Sequence, residues 1–326
     1  MQTPPLLLTL CLTLVIGVVV VLTATESGSS PGSSPVAGEY AELADFPVAS
    51  DPPPGPDAST GVFTEECGRN ERGQYNTDNV VTSPGIAGGA HHTHDYVGNT
   101  STNALSTDRS LAAADTTCAN GDLSTYFWPV LRRLDRAGTD GDTHGGGGVH
   151  GNTGEILTPS SVRLEYRGSP VSRVIPMPRF LRMVTGDPVA ATAGDARVRA
   201  QWGCSGHPGR FTVKYPVCPA GHGPTRTLDF PSCWNGLHTD SEGHRGHVAF
   251  PGAGGSCPAG TFPVPRLRIT LSYELPYSVP FALDSFPAQK RHPKTDHAMF
   301  INVMTERQQS RLTACLNEGR RCGADS

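Results

Sequence analysis

Histidines and carboxylates recur together in three short segments of this sequence, and their spacing is suited to metal binding. The segment HHTHDY, residues 91–96, places three histidines within four positions. Along a strand, residues i and i+2 share one face about 6.6 Å apart, so His92 and His94 could bind the same metal ion. Imidazole suits Zn, Cu, Fe or Ni, but such a pair needs further ligands from elsewhere in the chain. The alternative is a solvent-exposed polar loop.

Two later segments supply candidates for those further ligands. DSEGHRGHVAF contains Asp240, His244 and His247, and TDHAMFIN contains Asp296 and His297 beside an apolar run. We therefore predict one divalent metal site, with Cu or Zn favoured, and the candidate ligands are His92, His94, His244, His247 and His297. Asp240, His244 and His297 are also catalytic candidates, since His titrates near neutral pH and Asp240 could act as a base or, like Asp296, orient a ligand ring. Alternatively, these groups pair only with each other and with the backbone, and hold loops in place.

Aromatic side chains near these segments are candidates for contact with a sugar. Trp234 follows Cys233 in FPSCWNG, and an aromatic ring held beside a disulfide can stack on a sugar ring. Tyr96 is a second candidate substrate contact because it lies inside HHTHDY. The alternative is that Trp234 packs in the core. In a carbohydrate-binding protein without catalysis, Trp128 and Tyr126 would be further stacking surfaces.

The elements that must position these residues are predicted to be short strands. Twenty-nine prolines and 38 glycines interrupt the chain and disfavour long helices. Apolar and alternating runs such as SVRLEYRG and LRITLSYEL indicate strands, and ERQQSRLTACLNEG indicates a helix. We therefore predict a mainly β fold: one disulfide-braced, β-sandwich-like domain with long loops and a short C-terminal helix.

The N-terminal part differs in composition from the rest of the chain. Residues 6–24 are apolar and uncharged, so residues 1–25 are predicted to be a signal peptide or an N-terminal membrane anchor. Residues 26–60 are rich in Ser, Pro and Gly and are predicted to be a disordered linker to a single domain at 61–326. All six charges in residues 1–60 are acidic, which leaves 26 basic against 24 acidic residues in the domain. That near-neutral balance argues against nucleic-acid binding, and the membrane would be met only through the N-terminal segment.

Eight cysteines lie in the predicted domain, and an even number in an exported protein indicates four disulfides. The connectivity stays open, although Cys315 and Cys322 form the most plausible local pair. A Zn–thiolate site is disfavoured because the sequence has no close CxxC pairs. Together with the N-terminal apolar segment, the cysteines are consistent with an exported, extracellular or surface-tethered protein.

Taken as an ordered set, the motifs resemble DUF1996, a secreted family of actinobacteria and filamentous fungi. The resemblance covers about Gly61 to Cys315 and rests on HTHDYVGN, DLSTYFWPVL, RFLRMVTGD, QWGC, FPSCWNG, TDSEGHRGHVAF, CPAGTFPVPRL and DHAMFIN. The family pattern has an HxH, an acid followed by HxxH, and a late histidine. These correspond here to His92 and His94, to Asp240, His244 and His247, and to His297. Asn235 departs from the pattern, which usually has Asp after the tryptophan of SCW.

The resemblance implies a general setting for the protein without a settled reaction. Fungal members often carry appended sugar-binding modules, which implies work at cell walls or polysaccharides. With the histidines, this predicts a metal-dependent enzyme, a hydrolase, lyase or oxidase, acting on polysaccharide or other wall material. The alternative is a non-catalytic carbohydrate-binding or structural wall protein.

Overall fold

The computed structural model describes residues 35–138 and 150–323. The predicted signal peptide or anchor at residues 1–25 lies outside these ranges. Within them, every helix is too short or too polar to cross a membrane.

Two larger sheets form most of the domain, and both are mainly antiparallel. The first has six strands, in the spatial order β10 (Gln201–Cys204), β12 (Pro224–Asp229), β16 (Arg266–Ser272), β8 (Ser161–Arg167), β2 (Val62–Glu65) and β19 (Arg321–Cys322). The second has five strands, in the order β3 (Tyr75–Asn76), β4 (His94–Gly98), β5 (Thr125–Pro129), β18 (His297–Ile301) and β9 (Arg182–Gly186). The strand β16 alternates buried and partly buried residues, whereas β4, β5 and β18 are buried throughout. Complete burial means that both faces of these three strands are covered.

Three small sheets complete the described strands. The first pairs β1 (Tyr40–Glu42) with β11 (Tyr215–Val217). The second has β13 (Cys233–Trp234) between β14 (Val248–Ala249) and β15 (Phe262–Pro263), and the third has β6 (Leu131–Arg133) between β17 (Phe281–Leu283) and β7 (Glu155–Leu157). The mainly β prediction is confirmed. The finer description as a β-sandwich is not matched, because the strands are divided among five sheets.

The two larger sheets share one hydrophobic core. Tyr126 on β5 and Tyr166 on β8 join their hydroxyl groups at 2.7 Å, and the Tyr126 ring lies 5.1 Å from that of Phe300 on β18. Trp202 on β10 is fully buried in the same cluster. Burial of such large rings is the main force that holds the sheets together.

The three α-helices within the described ranges are short. They are α1 (Asp108–Ala112), α2 (Ala190–Ala193) and α3 (Glu306–Asn317). Helix α3 confirms the predicted C-terminal helix: the Thr305 hydroxyl accepts a hydrogen bond from the Gln308 amide at its start, and Leu312 and Leu316 are buried.

Four disulfides join the eight cysteines of the domain, as predicted. The pairs are Cys67–Cys118, Cys204–Cys218, Cys233–Cys257 and Cys315–Cys322. The last pair confirms the local bridge expected from the sequence, and it ties α3 to β19.

The structure differs from the predicted linker after residue 39. Tyr40–Glu42 pairs in parallel with Tyr215–Val217, and Phe46 is only 3% exposed. The linker prediction relied on the Ser, Pro and Gly content of residues 26–60 and gave too little weight to these few apolar side chains. Phe46 and Tyr40 nevertheless bury enough surface to hold this stretch against the domain.

A candidate three-histidine metal centre

Strand pairing brings two of the predicted histidines to the same level of the five-stranded sheet. His94 lies opposite Pro129 at the end of β5. On the other side of β5, Met299 lies opposite Phe127, so the register continues to place His297 opposite Pro129 as well. The two backbones are therefore about 10 Å apart, with the end of β5 between them. Imidazole side chains reaching toward each other span that gap.

His92 completes a group of three histidines. Its Nε2 atom lies 3.1 Å from Nε2 of His94 and 3.3 Å from Nε2 of His297. The three side chains are only 1%, 0% and 2% exposed for His92, His94 and His297. One nitrogen from each ring therefore points to a common point in the interior, and this group could hold a metal ion.

The other ring nitrogens face backbone carbonyl groups. His94 Nδ1 lies 3.0 Å from the Asp78 carbonyl oxygen, and His297 Nδ1 lies 2.7 Å from that of Thr295. A carbonyl oxygen can only accept, so Nδ1 carries the proton in both rings and Nε2 carries a lone pair. Fixing the tautomer in this way is how proteins orient histidine ligands toward a metal.

The Nδ1 atom of His92 differs from those of His94 and His297. It is buried and forms no hydrogen bond of regular geometry with the described residues. The Ala90 backbone is nevertheless close enough to oppose the lowering of the His92 pKa. A metal ion at the common point would bind His92 through Nε2, with the ring proton on Nδ1.

All three rings are neutral near neutral pH. Burial is the largest cause that lowers the pKa of each, and it lowers that of His297 to about 4. The neighbouring imidazoles lower the pKa of His92 and His94 further, and the Arg226 guanidinium lowers those of His94 and His297. Neutral imidazole is the form that binds metal.

Two buried ion pairs hold the strands beneath the three histidines. Arg226 on β12 pairs with Asp296, and Arg132 on β6 pairs with Asp284; all four side chains are 0–1% exposed. Asp284 also accepts a hydrogen bond from the backbone amide of Thr93, between His92 and His94. These pairs fix the segments on which the histidines lie.

The other predicted site residues lie in a separate cluster. His247 Nε2 bonds the Arg182 carbonyl at 2.7 Å and its Nδ1 bonds Ser241 Oγ at 2.9 Å, so both nitrogens are engaged. Arg182 begins β9, whereas His297 pairs with Gly186 at the other end of that strand. Four residues of strand separate the two places by about 13 Å. The geometry therefore does not bring His247 to the three histidines.

Asp240 and His244 pair with each other. His244 Nδ1 lies 2.9 Å from Asp240 Oδ1, and both side chains are partly exposed. Asp240 thus contacts His244, which is outside the three-histidine group, and Asp296 contacts Arg226. Backbone carbonyls orient the rings instead. No sequence signal could have identified them, because every residue carries a carbonyl.

The aromatic candidates are placed unfavourably for contact with a sugar. Tyr96 is 1% exposed and stacks on Phe127, while its hydroxyl bonds Asn76 at 2.7 Å. Tyr126 and Trp128 are fully buried, which corrects their assignment as stacking surfaces. Trp234 is partly buried against the core, and its indole nitrogen donates to the His238 carbonyl.

A second group of possible ligand atoms is unsuitable for a metal. Glu65 lies close to Cys67 and Cys118, but these two cysteines form a disulfide. Only a thiolate binds metal well, so this group does not form a metal site.

A family model described as Domain of unknown function (DUF1996) matches residues 78–302. The chain belongs to this family. The matched range includes all three histidines of the candidate centre. Comparisons with curated proteins and with solved structures found no match.

Proposed function

We propose that this DUF1996 protein is an exported metalloprotein in which His92, His94 and His297 bind one Cu or Zn ion through their Nε2 atoms. The observation that carries the proposal is the convergence of three buried Nε2 atoms, with 3.1 and 3.3 Å between neighbours. Two ligand nitrogens at the usual Zn–N distance and a tetrahedral angle are about 3.3 Å apart. Export is supported by the four disulfides.

A hydrogen-bonded histidine cluster accounts for this arrangement less well than a metal ion. His94 and His297 carry their protons on Nδ1, so their Nε2 lone pairs both face Nε2 of His92 in a site shielded from water. A proton on His92 Nε2 could be donated to only one of these two rings at a time, which would leave the other buried lone pair without a donor. A divalent cation accepts all three lone pairs at once, which offsets the cost of burying them.

The enzymatic part of the proposal concerns the position that three protein ligands leave open. Catalytic zinc sites commonly have three protein ligands and a water in the fourth position. We therefore propose a metal-dependent enzyme acting on polysaccharide or other wall material. Its reaction would be a hydrolysis, an elimination or an oxidation.

Burial of the ligands favours a second candidate function. Because the three histidines are at most 2% exposed, a polymer cannot touch the ion unless neighbouring loops move. In a structural wall protein, the ion would instead join β4 and β18 permanently. Removing it would then lower the melting temperature without abolishing any turnover.

Metal content of the full chain, secreted from a host that forms disulfides, tests the proposal. We expect about one Cu or Zn ion per chain, and loss of that ion in His92→Ala/His94→Ala. The control is His207→Ala/His222→Ala, which removes another pair of histidine rings, 4.9 Å apart, and should keep the ion. Absence of metal from the parent after reconstitution with both ions would contradict the proposal, as would equal loss in both variants.

A further inference from the structure

Three arginines from two segments of the chain line one small pocket on the domain. The pocket has a volume of about 140 Å³ and is lined by Arg197, Arg199 and Arg245, with apolar walls that include Val184 and Phe250. Arg199 lies over the Phe250 ring at 4.6 Å from its centroid, which fixes the orientation of its guanidinium group.

None of these three arginines forms an ion pair with a carboxylate among the described residues. Arg245 donates to the Gly186 carbonyl at 2.6 Å, and Arg199 donates to the carbonyl of Val198. Other arginines of the same region are paired: Arg268 bonds Asp229 through two hydrogen bonds. The pocket thus brings together three arginines that have no carboxylate partner of their own in the described part of the chain.

The charges that face the pocket are mostly positive. Burial is the largest cause that lowers the Arg245 pKa, and repulsion from Arg197 and Arg199 lowers it further. Asp187 is the one carboxylate that acts in the opposite direction, and its Oδ1 atom accepts a hydrogen bond from the Val189 amide. Arginine stays protonated in proteins, so three positive charges oppose one negative charge. An anion in the pocket would relieve this repulsion.

We propose that this pocket binds an oxyanion, the carboxylate or phosphate group of an acidic wall polymer. The planar, charged donors of arginine match both groups and form their strongest hydrogen bonds with them. A neighbouring pocket of about 240 Å³ shares Arg199 and Phe250 and adds polar side chains such as Gln201, together with Arg266 and the Asp229 carboxylate, which is bonded to Arg268. The anionic group would lie among the arginines, and the rest of the polymer unit would lie in this neighbouring pocket.

The oxyanion site goes beyond the metal centre, although the two are near each other in the fold. Arg245 bonds the carbonyl of Gly186, and Gly186 pairs with His297 across β9 and β18. Arg245 of the pocket is thus linked to the proposed metal ligand His297 through one residue, Gly186. Binding of the anion needs no metal, so each proposal can fail without the other.

Calorimetric titration of the full chain tests the site with three probes: trigalacturonate, inorganic phosphate and neutral cellotriose. We expect at least one acidic probe to bind, more weakly as salt increases, and cellotriose to bind no better than background. Binding of trigalacturonate alone would identify a carboxylate ligand, and binding of phosphate alone a phosphate ligand. Failure of both acidic probes, or equal binding of cellotriose, would overturn the proposal.

The variant Arg197→Gln/Arg199→Gln assigns the binding to the pocket. We expect it to weaken binding about tenfold or more, since two charge-assisted contacts are lost. Arg311→Gln, at an exposed position of α3, controls for loss of positive charge and should bind as the parent does. Equal binding by the double variant and the parent would overturn the assignment. Unchanged melting temperature and metal content would show that the double variant is folded.

Discussion

The metal-free protein should lose stability in acid through the buried histidines, and His297 allows the effect to be calculated. Its pKa falls from the ordinary value of 6.5 to about 4 on folding, mainly because of burial. The unfolded chain therefore binds a proton between these values that the folded chain does not. The stabilising contribution is present above about pH 6.5 and is lost as the pH falls toward 4.

The size of this effect follows from proton linkage. Between about pH 7.5 and pH 4.5, His297 alone should lower the free energy of unfolding by about 2.5 kcal/mol. The pKa values of His92 and His94 are also lowered well below the ordinary value, so they add to the loss. Buried carboxyls such as Glu65, whose pKa is raised to about 8, have the opposite dependence on pH. A comparison between variants therefore isolates the histidine contribution.

The assay is urea denaturation of the chelator-treated full chain at the two pH values, beside His297→Gln and the exposed control His238→Gln. When the pH falls from about 7.5 to about 4.5, the parent should lose about 2.5 kcal/mol more of its unfolding free energy than His297→Gln does. The control should behave as the parent does. Identical pH dependence of the parent and His297→Gln would refute the inference that His297 is buried and neutral.

Three further predictions concern groups outside the histidine centre. Because burial raises the pKa of Glu65 to about 8, its stabilising contribution is lost as the pH rises through that value. Between about pH 5 and pH 9, the unfolding free energy of Glu65→Gln should therefore rise by about 4 kcal/mol relative to that of the parent, as measured by urea denaturation. If the difference in unfolding free energy between variant and parent were the same at both pH values, the raised pKa would be wrong. Asp296→Asn should destabilise by about 3–5 kcal/mol because it leaves Arg226 charged and buried, and thermal unfolding would show it; a cost below about 1 kcal/mol would contradict this. Replacing Cys67 and Cys118 by Ser should cost about 4 kcal/mol, since that bridge closes 51 residues, and a negligible change in the urea midpoint would disprove it.

Features set by local spacing could be predicted from the sequence. Alternating apolar residues indicated the strands, the even cysteine count indicated four bridges, and the capped, periodic tail indicated α3. The rings of His92 and His94 meet as predicted, but β4 begins only at His94, so the pair does not share a strand face as the prediction assumed. These properties depend on neighbouring residues, for which chain geometry is nearly independent of the fold.

Features set by long-range pairing could not be predicted. Five histidines in three segments suggested one site, but strand register joins only His297 to the first pair and places His247 at the far end of β9. The carbonyl groups of Asp78 and Thr295 orient the rings, and no residue type marks such a role. The arginine pocket also depends on long-range contacts, because its lining residues are separated by up to 66 positions in the sequence, from Val184 to Phe250.

X-ray absorption at the metal edge tests the central claim most directly. The full chain would be loaded with about one equivalent of Cu or Zn and measured beside His92→Ala/His94→Ala. The three-histidine centre predicts three nitrogen neighbours at about 2.0 Å, with the outer-shell scattering of imidazole and no sulfur, and loss of this signal in the variant. A shell dominated by oxygen, or an imidazole signal that persists unchanged in the variant, would show that the ion binds elsewhere and would contradict the account.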